Sequence, residues 1–240
     1  MDQGITEKIR AAGGEVYAIS SEPQALSDRA VREWGLNFEA VGDPHQEISG
    51  ACRERGWLDL FVNERLEVIH ASTGALDWVP THPKGYFQPG VLALNAGGRV
   101  LYRWRSVPTH RNIGGAAERP TSEHVWARVA DALQAADDRL DAPLDRDPPL
   151  DSRGIAWPIF VSLLIANGWF VSARGFKSRT RVLLAVLRLL GFTAAWIAAF
   201  AWLPALPVMA ALIAWALYIA PKVRWVGKEF QNVEVSGASG

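Results

Sequence analysis

The sequence predicts a mixed α/β soluble domain followed by an all-α membrane hairpin, and three observations predict it. Residues 1–150 hold 16 Lys/Arg against 22 Asp/Glu, whereas residues 151–240 hold 9 against 3, so a chain of zero net charge divides into an acidic part and a basic part. Helix-forming and strand-forming stretches alternate through the first part, the pattern of layered α/β domains. Between residues 182 and 220 the only formal charge is Arg188. That run is about twice the roughly 20 apolar residues that cross ~30 Å of hydrocarbon.

The soluble elements follow in order. Residues 5–12 read as the end of a helix, closed by Gly13-Gly14, where a left-handed cap is easiest without a side chain. Glu15-Val16-Tyr17-Ala18-Ile19-Ser20 is a short β-rich strand. Ser21-Glu22-Pro23 then opens a helix that runs to Trp34 and stops at Gly35. Residues 38–41 make a second strand, stopped by Gly42-Asp43-Pro44, and residues 46–55 are helical up to Gly56. The order αβαβα implies parallel strands. Residues 66–71 fit a strand, while residues 73–88 carry Gly74, Pro80, Pro83 and Gly85 among Trp78, Tyr86 and Phe87 and read as an aromatic-packed loop. Residues 89–94 and 99–104 are strands joined by the hairpin signal Asn95-Ala96-Gly97-Gly98. Thr121-Ser122-Glu123 starts the closing helix, with Val125, Val129 and Leu133 on one face. The domain is thus expected over 1–136, and an acidic, proline-containing linker over 137–154.

In the membrane region, 155–228, Pro204 and Pro207 divide the apolar run into crossings at 182–203 and 205–220. Residues 155–173 are apolar too, with Pro158 in a first helical turn and Asn167-Gly168 weakening the interior, so they lie in the interface, re-enter, or cross a third time. The basic connector Arg174, Lys177, Arg179, Arg181 and the basic tail Lys222, Arg224, Lys228 both belong on the cytoplasmic side. An even number of crossings between them favours the interfacial reading, with Trp157 and Trp169 as headgroup-level anchors. Arg188, about a turn and a half into the first crossing, is a third anchor whose long stem can snorkel. Residues 229–240 form a flexible tail. No basic-then-apolar leader follows Met1, so the expected protein is multi-pass, its partner the lipid bilayer, its soluble domain cytoplasmic.

The lone cysteine, Cys52, excludes an intramolecular disulfide and a cysteine-based zinc cluster. It falls inside a helix beside Arg53 and Arg55 and reads as a small buried side chain before it reads as a nucleophile. His45, His70, His82, His110 and His124 have no ligand spacing, so neither a metal nor a cofactor is expected. Asp77, His82 and Lys84 collect in the aromatic loop; His110, Arg111, Asn112 and Arg119 collect before the closing helix. Asn112-Ile113-Gly114-Gly115-Ala116 lacks the lysine and strand-to-helix setting of a phosphate loop and reads as a turn. Scattered basic residues give no footprint for nucleic acid.

Four strings in order, Glu15 to Ser20 with the following Ser-Glu-Pro, Val41-Gly42-Asp43-Pro44, Gln88-Pro89-Gly90-Val91-Leu92-Ala93-Leu94 and Gly98-Arg99-Val100-Leu101-Tyr102, carry a resemblance. Over residues 5–133 the chain resembles the redoxin or peroxiredoxin-like proteins of the alkyl hydroperoxide reductase and thiol-specific antioxidant superfamily. The resemblance implies a thioredoxin-like fold and antioxidant thiol oxidoreductase relatives. It also implies a proline with a cis peptide bordering the redox site, here Gln88-Pro89, and a substrate groove formed with Asp77 and His82. The family's reactive cysteine follows a first strand that this sequence lacks, since it begins inside the helix that cysteine would open. The expectation is therefore an incomplete thioredoxin-like fold, first strand and active-site loop absent, inactive alone. Either Met1 is not the natural start, or another segment fills the gap, or the domain is a degenerate remnant. A protein thiol partner or a missing N-terminal segment is implied for the redoxin reading. The alternative is a non-catalytic module that tethers a partner at the membrane.

Overall fold

The structure, a computed structural model, describes residues 3–64, 81–108, 118–135, 140–152, 156–176 and 178–230. Among them are α1 (Gln3–Ala11), β1 (Tyr17–Ser20), α2 (Gln24–Trp34), β2 (Glu39–Gly42), α3 (Glu47–Glu54), β3 (Val62–Asn63), β4 (Tyr86–Phe87), β5 (Gly90–Leu94) and β6 (Val100–Arg105). They continue with β7 (Glu118–Pro120), α4 (Ser122–Gln134), β8 (Leu150–Ser152), α5 (Trp157–Asn167), α6 (Arg179–Trp202) and α7 (Ala205–Phe230). The described residues divide into two compact units, the first ending at Ser152 and the second starting at Ala156. The strand expected over 66–71, the glycine-rich turn over 112–116 and most of the tail lie outside the described residues.

In the first unit the alternation of elements gives a parallel β1–β2 pair, in register from Tyr17 opposite Glu39 to Ser20 opposite Gly42. The helix between them, α2, ends on Gly35 in the left-handed region at φ +60°, whose N–H donates to Val31 O. Its start grips β2: the Gln24 side chain accepts from Gly42 N at 2.8 Å and donates to Ala40 O at 2.9 Å. Gly42 is there because nothing larger fits. A Cβ on it would stand 2.5 Å from both Gln24 N and Glu22 O, backbone atoms that cannot swing aside.

The apolar core of this unit centres on β6. Val100, Leu101, Tyr102 and Trp104 are all buried, both faces of the strand being covered. Full burial of such side chains is worth about 1.5–3 kcal/mol each. β5 pairs antiparallel with one edge of β6 through the hairpin, where Gly98 adopts φ +82° and Arg99 N donates to Asn95 Oδ1 at 2.9 Å. Residues 141–145 take the other edge, with Ala142 N donating to Val100 O and Asp145 N to Arg103 O, both at 2.9 Å. The described part of the stretch expected as an acidic, proline-containing linker bonds to this unit: β8 also pairs with β7, and Asp145 Oδ2 lies 2.8 Å from His124 Nε2 on α4. Burial works against ionising Asp145, but the His124 hydrogen bond and the Asp147 N–H leave its carboxyl below the usual range.

Among the described residues the strands form four separate two-stranded ladders rather than one sheet. Among the described residues β1 and β5, the strands expected to flank an absent central strand, each pair on one side only.

The second unit contains two helices long and apolar enough to cross a membrane, Thr180–Trp202 and Ala205–Glu229, of 23 and 25 residues. At 1.5 Å per residue these measure about 35 and 38 Å. The second extends past the expected residue 220 and accommodates Pro221 in its interior. Most of their apolar side chains face outward, Leu190 at 62% and Leu217 at 71% exposure among them.

The stretch expected over 155–173 is helical only over Trp157–Asn167, about 16 Å and too short to span. It ends where the sequence weakened it. Asn167 Nδ2 donates to Arg174 O and Gly175 O, and Trp169 and Phe170 both take left-handed backbone at φ +58° and +61°, reversing the chain. Such backbone costs about 1–2 kcal/mol per non-glycine residue. Phe170 offsets that by stacking on Phe192 at 3.8 Å, and its carbonyl accepts from Trp215 Nε1 at 2.9 Å. Leu164 and Ala166 are fully buried in this packing.

Candidate functional site

Two turns follow the C-terminal ends of the parallel strands, Ser21-Glu22-Pro23 after β1 and residues 43–46 after β2. This end of a parallel pair is where α/β folds place their sites, because successive loops converge there. In the second turn Asp43, 3% exposed, accepts from Ile48 N at 3.1 Å and Ser49 N at 2.9 Å and so caps α3. Residues 81–88 lie against both turns. Lys84 Nζ donates to His45 O, and Gln46 Nε2 donates to Lys84 O at 2.7 Å.

Glu22 organises the contact with the first turn. Its carboxylate accepts from Thr81 N at 3.0 Å, Thr81 Oγ1 at 2.9 Å and His82 N at 3.3 Å, and it lies 3.3 Å from His82 Nε2. The other ring nitrogen, His82 Nδ1, is 3.0 Å from Ser21 Oγ, which accepts from Phe87 N at 3.3 Å. A neutral ring donating from Nε2 to the carboxylate accepts at Nδ1 from the hydroxyl, a tautomer set by the network. His82 itself holds φ +38°, and its ring meets Tyr86 edge-on at 5.1 Å.

Serine, histidine and carboxylate in this order are the parts of an activated nucleophile. Their surroundings argue against that use: Ser21 is 5% and His82 8% exposed, and the Phe87 N–H already occupies the hydroxyl oxygen. The trio pins a loop. Replacing Glu22 by alanine is expected to cost about 1–2 kcal/mol, since it removes the charged acceptor from the exposed Thr81 donors and from the buried His82 ring. Denaturant unfolding of the full chain in detergent measures it, and Glu22→Gln should lose less.

The residues singled out by sequence are distributed as follows. Gln88 is 3% exposed; its N–H donates to Phe61 O at 2.8 Å, while its Oε1 has no donor among the described residues. The Gln88–Pro89 bond is trans, correcting the expected cis bond. Pro89 lies in chain tied on both sides, with Gln88 N bonded to Phe61 and Pro89 O accepting from Ser106 N at 2.8 Å, so no reversal is required there. Asp77, with His110, Arg111 and Asn112, lies outside the described residues. Arg119 is near Tyr86: burial raises the phenol's pKa and lowers the guanidinium's, each shift partly opposed by the other group. Ser21, Glu22 and Asp43 were not anticipated as site residues; the one signal was their place in polar strings immediately after strands.

Cys52 sits toward the C-terminal end of α3, where the helix dipole disfavours an anion. Burial pushes its thiol above the ordinary value and the Asp43 carboxylate adds to this, against a smaller lowering by Arg55. In the second unit Trp157 packs against Phe160 at 5.9 Å. Arg188 turns toward the short helix: its guanidinium lies 3.9 Å over the Trp169 ring and Nη1 donates to Asn167 O at 3.3 Å. There it meets the negative end of α5. No family model, curated protein or solved structure matches the chain.

Proposed function

We propose that the chain is a membrane-anchored, redoxin-like protein with a thioredoxin-like soluble unit, which binds a partner at the bilayer and whose one cysteine, Cys52, performs no thiol chemistry. The state of Cys52 carries the reading: the chain's one thiol is half-buried, raised in pKa and at the wrong end of a helix for a nucleophile. The order of elements supports the fold, with the parallel βαβ pair ahead of a hairpin and a closing helix. The two long apolar helices with outward-facing side chains support anchoring, and the basic residues flanking them favour a cytoplasmic soluble unit.

The test is peroxide consumption by the full chain in liposomes with dithiothreitol as reductant. No turnover above protein-free vesicles is expected, for wild type and Cys52→Ser alike. Alkylation of Cys52 by iodoacetamide should accelerate with pH around a midpoint above that of free cysteine, because its folded pKa is raised. Turnover abolished by Cys52→Ser would sink the non-catalytic reading.

A further inference from the structure

Resting on the membrane-anchored reading, we propose that the second unit holds a binding site for the phosphate headgroup of an anionic phospholipid, between the segment after α5 and the C-terminal part of α7. An open cavity of about 340 Å³ lies there, lined by Ser172, Ala173, Pro221, Lys222 and Trp225. The return segment forming one wall is held by the Trp215 Nε1 bond to Phe170 O.

The one charged residue in its lining is a cation, Lys222. The Lys222 ammonium bonds Tyr218 O at 3.2 Å and lies 3.4 Å over the Tyr218 ring, which holds it in place and leaves it further N–H donors. No carboxylate pairs with Lys222 among the described residues. Trp225, 38% exposed, lines the same cavity beside Lys222. Glu229, one turn on, is 5% exposed and does not line the cavity.

Depth selects a lipid as the source of the phosphate. Lys222 lies about 26 Å along α7 from Ala205, near the limit of ~30 Å of hydrocarbon. Tyr218, Lys222 and Trp225 share one helical face, the aromatic-and-basic composition of a headgroup layer. On the apolar side Leu217 and Ile213, 71% and 55% exposed, offer a track for an acyl chain. Basic pockets between helices on the cytoplasmic side recognise anionic headgroups by this combination.

The experiment uses the full chain in dodecyl maltoside, titrated with dioleoyl phosphatidylglycerol, dioleoyl phosphatidylcholine or inorganic phosphate. Retained lipid is read by native mass spectrometry and thermal stability by tryptophan fluorescence. Phosphatidylglycerol should be retained and raise the melting temperature, phosphatidylcholine much less, and phosphate not at all. Lys222→Gln should weaken phosphatidylglycerol retention about fivefold, and Trp225→Phe should weaken it with the helix intact by circular dichroism, whereas Lys228→Gln should not. Equal retention by wild type and both cavity variants overturns the site, and an equal response to inorganic phosphate overturns the lipid assignment. Carbonate washing of membranes separates the failures: release of the chain removes the anchoring itself, whereas a resistant chain without lipid preference removes only the headgroup site.

Discussion

Gly168→Ala is expected to dismantle the reversal after the short helix. An added Cβ would stand 1.9 Å from Ser172 O and 2.6 Å from Ser172 C, closer than any relaxation of side chains can relieve. The backbone itself must open, and with it go the Asn167 bonds to Arg174 and Gly175, the Arg188 bond to Asn167 O and the Phe170–Phe192 stack. We expect a loss of about 3 kcal/mol or more, from a combination of overpacking and broken hydrogen bonds. Thermal unfolding of the full chain in detergent, followed by tryptophan fluorescence, reads it directly. Gly191→Ala is the control: Gly191 lies inside α6, where an added methyl meets nothing within 4 Å. If both variants melt with the wild type, the packed reversal is not the structure in solution.

Gly42→Ala should be as damaging in the first unit. The Cβ would be driven against Glu22 O, Pro23 C and Gln24 N, all backbone, at 2.5–2.8 Å. Relief requires separating the start of α2 from β2, which breaks the Gln24 bridge to Gly42 and Ala40 and disturbs the turn from which Glu22 holds residues 81 and 82. A loss of about 3 kcal/mol is expected, again by unfolding of the full chain. The contrasting substitution is Gly50→Ala, inside α3 with nothing within 4 Å of its Cβ position, which should gain about 0.5–1 kcal/mol from helix propensity. A Gly42→Ala protein as stable as wild type would contradict the close β2–α2 approach.

These two glycines show how far the sequence could be read. Gly42 was legible as a strand stop, because Gly-Asp-Pro punctuates any chain; that its hydrogen atom faces another backbone was not. Asp43 looked like part of the same turn, yet its carboxylate caps α3 from four residues upstream of the helix start. His82 was legible as a polar residue in an aromatic loop. Its partners Ser21 and Glu22 lie 61 and 60 residues away, and no local pattern reports such a pairing. Arg188 was read from its own helix as a snorkelling anchor, whereas its partners belong to the short helix before it.

The sequence by itself determined the α1-β1-α2-β2-α3 order, the parallel sense of β1 and β2, the β5–β6 hairpin, the closing helix α4 and the two long apolar helices, but not the short strands β3, β4, β7 and β8. Each feature it determined follows from signals within a few residues: periodicity, glycine and proline punctuation, and uninterrupted apolar length. Only the tertiary structure decided that residues 141–152 bond along β6 and β7, that Pro89 is trans, that the third apolar stretch turns back after Asn167, and that one carboxylate, Glu22, gathers the 81–82 backbone. These depend on hydrogen-bonding groups brought together across tens of residues, and the free energy of such a contact resides in the pair rather than in either local stretch of chain.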